Sequence, residues 1–264
     1  MGRQALNIRT LEWAAMVALG LAGCGGVGTT ASSPTPDRVS GNLTVLAAAS
    51  LTAAYTEIGQ DFMKAHPDAK VTFSFGGSPT LVTQILQGAP ADLFASADQP
   101  NMQKLVDGGL ADGKPAVFSQ NKLQIVVQAG NPKKIAALAD LANPNLVVDL
   151  CAPAVPCGAY ATQAFAKANV KVTPKSQEQD VKSVVTRVSL GEADAGIVYT
   201  TDVKAEGPSV AGVDIPADQN VIATYPIVRV KGTRNPTTAN AFIEWVVGAM
   251  GQKVLAQHGF TRPS

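Results

Sequence analysis

From Asn42 onward, two hydrophobic rhythms alternate along the chain. Short runs rich in β-branched and apolar residues, at 43–47, 71–75, 92–95, 123–128, 146–150, 195–199 and 221–230, read as strands. Between them, apolar residues recur at helical spacing. Leu51, Ala54, Tyr55, Ile58 and Phe62 fall at i, i+3, i+4, i+7 and i+11, the stripe of an amphipathic helix. The stripe returns in Leu81, Val82, Ile85 and Leu86, in Val181, Val184, Val185 and Val188, and in Phe242, Ile243, Val246, Val247 and Met250. Strands alternating with helices predict an α/β fold with mostly parallel sheet.

Two helix starts are sharply marked. Ser50 follows the first strand and precedes the first stripe. Ser78 follows Gly76-Gly77, is itself followed by Pro79, and opens a helix expected to end at Gly88. Both serines read as N-caps. A hydroxyl beside the unpaired N–H groups of a helix start, at the positive end of its dipole, makes an anion site. Capping alone also explains a serine at such a position. Two of them, each after the C-terminal end of a strand, point to a cleft, because open α/β sheets bind ligands there. Asp180 and Asp98 read as N-caps of the helices that follow them, and His66 and His258 as residues at helix C-termini.

Composition narrows the chemistry. With 264 residues, 46% hydrophobic and 16% charged, the chain has the length for one large domain or two lobes and can bury a sizeable core. Lys and Arg number 21 against 20 Asp and Glu, a net charge of +1, so no basic footprint for nucleic acid exists. Two histidines and three cysteines leave little for a metal site or a histidine-based catalytic apparatus. A serine hydrolase would carry Gly-x-Ser-x-Gly, and Gly76-Gly77-Ser78-Pro79-Thr80 departs from it at the last position. Asp92 and Asp98 flank a strand without forming an acid–base pair. The balance favours a binding protein over an enzyme.

The N-terminus reads as an address. Arg3 and Arg9 precede an apolar run at 13–22, which is short for a membrane span. It ends in Leu21-Ala22-Gly23-Cys24, which looks like the lipobox of bacterial lipoproteins. Residues 1–23 are then a signal peptide and Cys24 the lipid-modified first residue; a plain secretory signal with an incidental cysteine is the alternative. The Gly-, Thr-, Ser- and Pro-rich segment 24–40 is a flexible tether with a mean reach of roughly 20–25 Å. The folded body is expected near the outer face of the cytoplasmic membrane.

Several segments carry a family resemblance. Ala47-Ala48-Ala49-Ser50-Leu51-Thr52, Phe73-Ser74-Phe75-Gly76-Gly77-Ser78-Pro79-Thr80-Leu81 and Gly88-Ala89-Pro90-Ala91-Asp92-Leu93-Phe94-Ala95-Ser96-Ala97-Asp98 come in order, followed by Val155-Pro156-Cys157-Gly158-Ala159-Tyr160-Ala161, Gln179-Asp180-Val181, Gly196-Ile197-Val198-Tyr199 and Gly259-Phe260-Thr261. Together they resemble the molybdate-binding proteins of ABC importers over 41–264. The resemblance implies the two-lobed α/β fold of type II periplasmic binding proteins. Lobe one would be 41–120 and 226–264 and lobe two 121–225, with hinge crossings near 120–123 and 222–231 and the ligand in the cleft.

Carried over position by position, Ser50 and Ser78 would donate to the oxyanion through hydroxyl and backbone N–H, Cys157 and Val181 through backbone N–H, and Tyr199 through its phenol. The ligand implied is molybdate, with tungstate beside it, held without a cofactor or any direct metal-ligating side chain. A receptor for sulfate, phosphate or a small organic anion is the runner-up. The partners implied are a membrane-embedded permease with its cytoplasmic ATPase, and the receptor itself would be a monomer. The family often has a small residue such as alanine where this chain has Cys157. With Cys24 lipidated, Cys151 and Cys157 form an even pair, open to a disulfide, two free thiols or a metal site.

Overall fold

The structure, a computed structural model, describes residues 38–263. The expected signal peptide, Cys24 and most of the tether lie outside the described residues. The described residues form one compact unit. In chain order it contains β1 (Gly41–Ala48), a 3-10 turn (Ala49–Leu51), α1 (Thr52–Ala65), β2 (Ala69–Gly76), α2 (Ser78–Leu86), β3 (Leu93–Ala95), α3 (Gln99–Asp107) and β4 (Ala111–Gln128). A second 3-10 turn (Leu138–Ala142) leads to β5 (Val148–Cys151), α4 (Pro156–Ala168), β6 (Ser176–Glu178), α5 (Val181–Ser189), β7 (Ala195–Tyr199), α6 (Thr200–Glu206) and β8 (Val210–Asp214). The chain closes with β9 (Ile222–Val230), α7 (Pro236–Val247) and α8 (Ala249–Gln257).

The strands hydrogen-bond in the order β2-β1-β3-β9-β4-β7-β5-β6, with β8 also on β4. The flanks are parallel, as expected: β1 with β2 and β3, and β5 with β6 and β7. The middle is not. β9 runs antiparallel to β3 and β4, and β4 antiparallel to β7 and β8. The sheet is therefore mixed rather than mostly parallel. Parallel pairing needs a crossover, usually helical, and the long central strands instead pair directly with returning chain.

β4 positions the two halves. Its first part, to Lys122, pairs with β9; from Leu123 it pairs with β7, and from Gln124 also with β8. At the change of partner the buried Asn220 side chain stands in for a strand: its Oδ1 accepts from Leu123 N–H at 3.0 Å and its Nδ2 donates to Leu123 O at 2.9 Å.

In the β1 half, edge-on aromatics fill the space between sheet and helices, with Phe62 against Phe242 at 5.2 Å and Tyr55 tilted against Phe118 at 5.7 Å. Each such pair contributes about 0.5–1.5 kcal/mol beyond its buried area. In the β7 half, the stripe Val181, Val184, Val185 and Val188 is buried. Gly196 lets α5 lie close, because a β-carbon there would collide with Val184 and the Asp149 carbonyl. Arg187, in the last turn of α5, also pairs with buried Asp149 of β5, which fixes the C-terminal end of α5 against the sheet. His66 and His258 end α1 and α8; the His66 ring packs on Phe62 and Trp245, and His258 Nε2 lies 2.8 Å from Glu57.

Candidate functional site

Ser50, Ser78, Cys157, Val181 and Tyr199 line one cavity, together with Gly77, Ala97 and Asp180 among others. They reach it by the same local device. β1 runs into the 3-10 turn holding Ser50, β2 into α2 at Ser78, β5 through a short loop into α4 with Cys157 second, and β7 ends at Tyr199. Val181 is the first residue of α5. Three helix starts thus converge on one space, each with N–H groups that have no partner inside its own helix. The empty volume is about 210 Å³.

The serines do not cap their helices. Ser50 lies inside the 3-10 turn, Ser78 is the first residue of α2 with Gly77 at its N-cap, and neither helix start has a side-chain cap bond. Their hydroxyls have other partners. Ser50 Oγ is 3.0 Å from the Tyr225 phenol oxygen, and Ser78 Oγ accepts from Ala97 N–H at 3.1 Å. With that lone pair occupied, the Ser78 proton is left to donate. Asp180 and Asp98 do cap, accepting from Ser183 N–H and Asn101 N–H at 3.0 Å each. The Asp180 carboxylate is thereby engaged with α5 although the residue lines the cavity.

Tyr199 is buried, and its phenol oxygen has no hydrogen-bond partner among the described residues. An unpaired buried hydroxyl costs about 1–3 kcal/mol, so a ligand that accepts from it recovers that cost. Burial, reinforced by neighbouring Tyr225, Tyr160 and the acids Asp202 and Asp98, pushes the phenol well above its ordinary value, so it keeps its proton at neutral pH. Cys151 and Cys157 are joined by a disulfide, with Cα atoms 5.7 Å apart. The bridge ties the end of β5 to the second residue of α4 and so holds the loop that presents the Cys157 amide. Among the described residues, no group of three or more His, Cys, Asp or Glu is placed to hold a metal ion.

Residues 43–261 match the family described as bacterial extracellular solute-binding protein. The chain belongs to that family. A molybdate-binding protein of Mycobacterium tuberculosis, ModA, is 40% identical over 249 residues, covering 94% of this chain and 95% of the relative. Two solved structures share the fold. The periplasmic molybdate-binding protein of Azotobacter vinelandii superposes with a TM-score of 0.74 at 22% identity, over 84% of this chain and all of that one. The sulfate-binding protein SubI of Mycobacterium tuberculosis gives 0.71 at 24% identity, over 84% and 86%. The architecture is that of the type II periplasmic binding proteins, as the motifs implied. Family membership carries a transport role, and no described helix of this solute-binding protein is long and apolar enough to cross a membrane.

Around the cavity of this solute-binding protein lie residues that the sequence pattern did not single out. Asp202 is buried; its Oδ2 accepts from Tyr199 N–H at 3.1 Å, and Lys182 Nζ stands 3.8 Å from Oδ1. Burial raises its carboxyl from 3.8 to about 6, against the opposing pull of Lys182 and the Tyr199 amide. Asp202→Asn keeps an acceptor for that amide and removes the charge. Between about pH 4 and 6 the unfolded carboxyl has lost its proton while the buried one retains it, so wild-type stability falls across that window and stays lower above it. The stability advantage of Asp202→Asn over wild type therefore grows from pH 4 to 6 and then levels off, on the order of 2–3 kcal/mol. Denaturant melts at intervals from pH 4 to 8 measure it; a pH-independent difference would remove burial as the cause.

Proposed function

We propose that this chain is the extracytoplasmic receptor that captures molybdate, and tungstate with it, and hands it to an ABC permease driven by a cytoplasmic ATPase. The observation that carries the reading is the unpartnered Tyr199 phenol facing two serine hydroxyls and three helix starts across a cavity in which, among the described residues, no Lys, Arg or His takes part. Even counted with the open solvent at its mouth, its empty space of about 210 Å³ stays below the roughly 300–1,000 Å³ of sites for drug-sized ligands, which favours a compact inorganic anion. A dianion would be neutralised by dipoles and charge-assisted hydrogen bonds rather than by counter-charges. The 40% identity to a protein named for molybdate supports that choice of anion.

In this reading the halves meeting at the partner change in β4 are lobes, Ser50 and Ser78 belong to one wall and Cys157, Val181 and Tyr199 to the other, and closure traps the ion. The lobes are 41–120 with 226–264, and 121–225. A lipid on Cys24 and the tether keep the receptor beside its permease.

Selectivity follows from proton count and size. Hydrogen phosphate brings an O–H for which donors offer no acceptor, a cost of about 1–3 kcal/mol, or roughly five- to a hundredfold in affinity. Sulfate has shorter bonds, so a site fitted to the larger anion leaves some of its hydrogen bonds long. Thermal melting of the exported chain with each anion tests this. Ligand at a thousand times its dissociation constant adds about 4.1 kcal/mol, a clear rise in melting temperature. The rise is expected with molybdate and tungstate; a rise with sulfate or phosphate alone would move the receptor to the other anion.

A further inference from the structure

Tyr225, on β9, is fully buried; its ring packs edge-on to Tyr199, and its phenol oxygen lies 3.0 Å from Ser50 Oγ. Burial raises the Tyr225 phenol pKa, and Ser50 and the Asn121 side-chain amide beside it oppose that rise. The rest of the Asn121 side chain fixes its orientation: Oδ1 accepts from Lys122 N–H at 2.9 Å and from the Thr200 hydroxyl at 3.1 Å, and Nδ2 donates to Thr201 Oγ1 at 2.8 Å. The one group Asn121 has left to offer is therefore an N–H, a donor. Asn121 thus offers Tyr225 no acceptor, and the one proton of the phenol has Ser50 Oγ as its acceptor among the described residues. Ser50, accepting from Tyr225, is left with its own proton to give.

We propose that Tyr225 is a positioning residue that commits Ser50 to act as a donor into the cavity, making the pair a determinant of selectivity against anions that carry a proton. The inference rests on the oxyanion-receptor reading above. Ser78 obtains the same commitment from the Ala97 backbone N–H, so the two serines differ in how it is enforced. At Ser78 the main chain fixes it. At Ser50 a side chain fixes it, and beside that side chain Asn121 bonds Thr200 and Thr201, which directly follow Tyr199. Without the Tyr225 proton, the Ser50 hydroxyl is free to rotate and to accept from a ligand O–H.

Tyr225→Phe keeps the ring packing against Phe118, Tyr199 and Phe260 and removes the hydroxyl. Calorimetric titrations with molybdate and with phosphate, in wild type, Tyr225→Phe, Ser50→Ala and the double variant, test the relay. The expected result is about a tenfold loss of molybdate affinity for Tyr225→Phe in the wild-type background and less than twofold in the Ser50→Ala background. The molybdate-to-phosphate affinity ratio narrows in Tyr225→Phe. Equal losses in both backgrounds, or an unchanged ratio, would show general packing and overturn the proposal, as would full molybdate affinity in Tyr225→Phe. Asn121→Ala offers a second route if the first variant does not fold: with no amide N–H beside the phenol, the Ser50–Tyr225 bond can reverse so that Ser50 spends its proton on Tyr225, at a cost of about threefold, only where Ser50 is present. Wild type that binds no oxyanion would instead overturn the receptor reading and the relay with it.

Discussion

Gly77→Ala is expected to lower molybdate affinity at least a hundredfold and to move the melting temperature of the unliganded protein by no more than a few degrees. Gly77 has φ −64° and ψ 133°, values open to any residue, so the substitution introduces no backbone strain. Its effect comes from across the cavity. A β-carbon at this position would overlap the carbonyl oxygen of Gln179, the residue before Asp180 and the start of α5. The two walls then cannot approach as they do here. The amides of Cys157 and Val181 and the Tyr199 phenol are held away from an anion resting on Ser50 and Ser78. Hydrogen bonds to a charged group contribute about 1.5–3 kcal/mol each, so weakening three of them readily exceeds the 2.7 kcal/mol of a hundredfold. Alanine in place of glycine at an N-cap costs about 1 kcal/mol at most, a few degrees for a body of this size. Titration calorimetry and a thermal melt separate the two effects. Wild-type affinity in this variant would mean that the anion binds without the approach of Gly77 to Gln179.

Ser78→Ala is expected to cost about thirtyfold in molybdate affinity and, unlike the glycine variant, about 1–2 kcal/mol of stability without ligand. The affinity loss is that of one donor to a dianion. The stability loss arises because Ser78 Oγ is the acceptor for Ala97 N–H inside a buried region, and alanine leaves that N–H unpaired. The same calorimetry with a denaturant melt reads both numbers. Loss of stability with unchanged affinity would reduce Ser78 to a scaffold for the Ala97 loop.

Much of this arrangement was legible because apolar patterning reports burial directly. The valine stripe of α5 and the run ending at Tyr199 fell where the structure has them, and the motifs placed five residues that do line one cavity. Pairing direction was not legible, because an alternating or continuous apolar run looks alike in parallel and antiparallel ladders. The first part of β4 was missed as well. Gly113, Pro115 and several charged residues break its pattern, and the ladder itself has register shifts between Asp112 and Ala116 and between Val117 and Ser119. Short β6 and β8 carried too few apolar residues to stand out. The signals at Ser50 and Ser78 marked helix starts to within a residue yet misassigned the hydroxyls, since capping and ligand-facing serines share the same neighbours in sequence. Tyr225 and Asp202 remained hidden for a different reason. Tyr225 matters through Ser50, 175 positions earlier, and Asp202 through a backbone amide, and neither contact leaves a local pattern.

A site without counter-charges also governs timing. Among the described residues no cation lines the cavity, so on the proposed reading the anion's arrival is set by concentration and by how often the mouth stands open, with little response to ionic strength. Selective capture then has to reside in dwell time, the interval during which donors on both walls hold the ion at once. On the same reading, release requires no competing charge. It requires only that the walls be drawn apart, after which the remaining donors lose the ion to water.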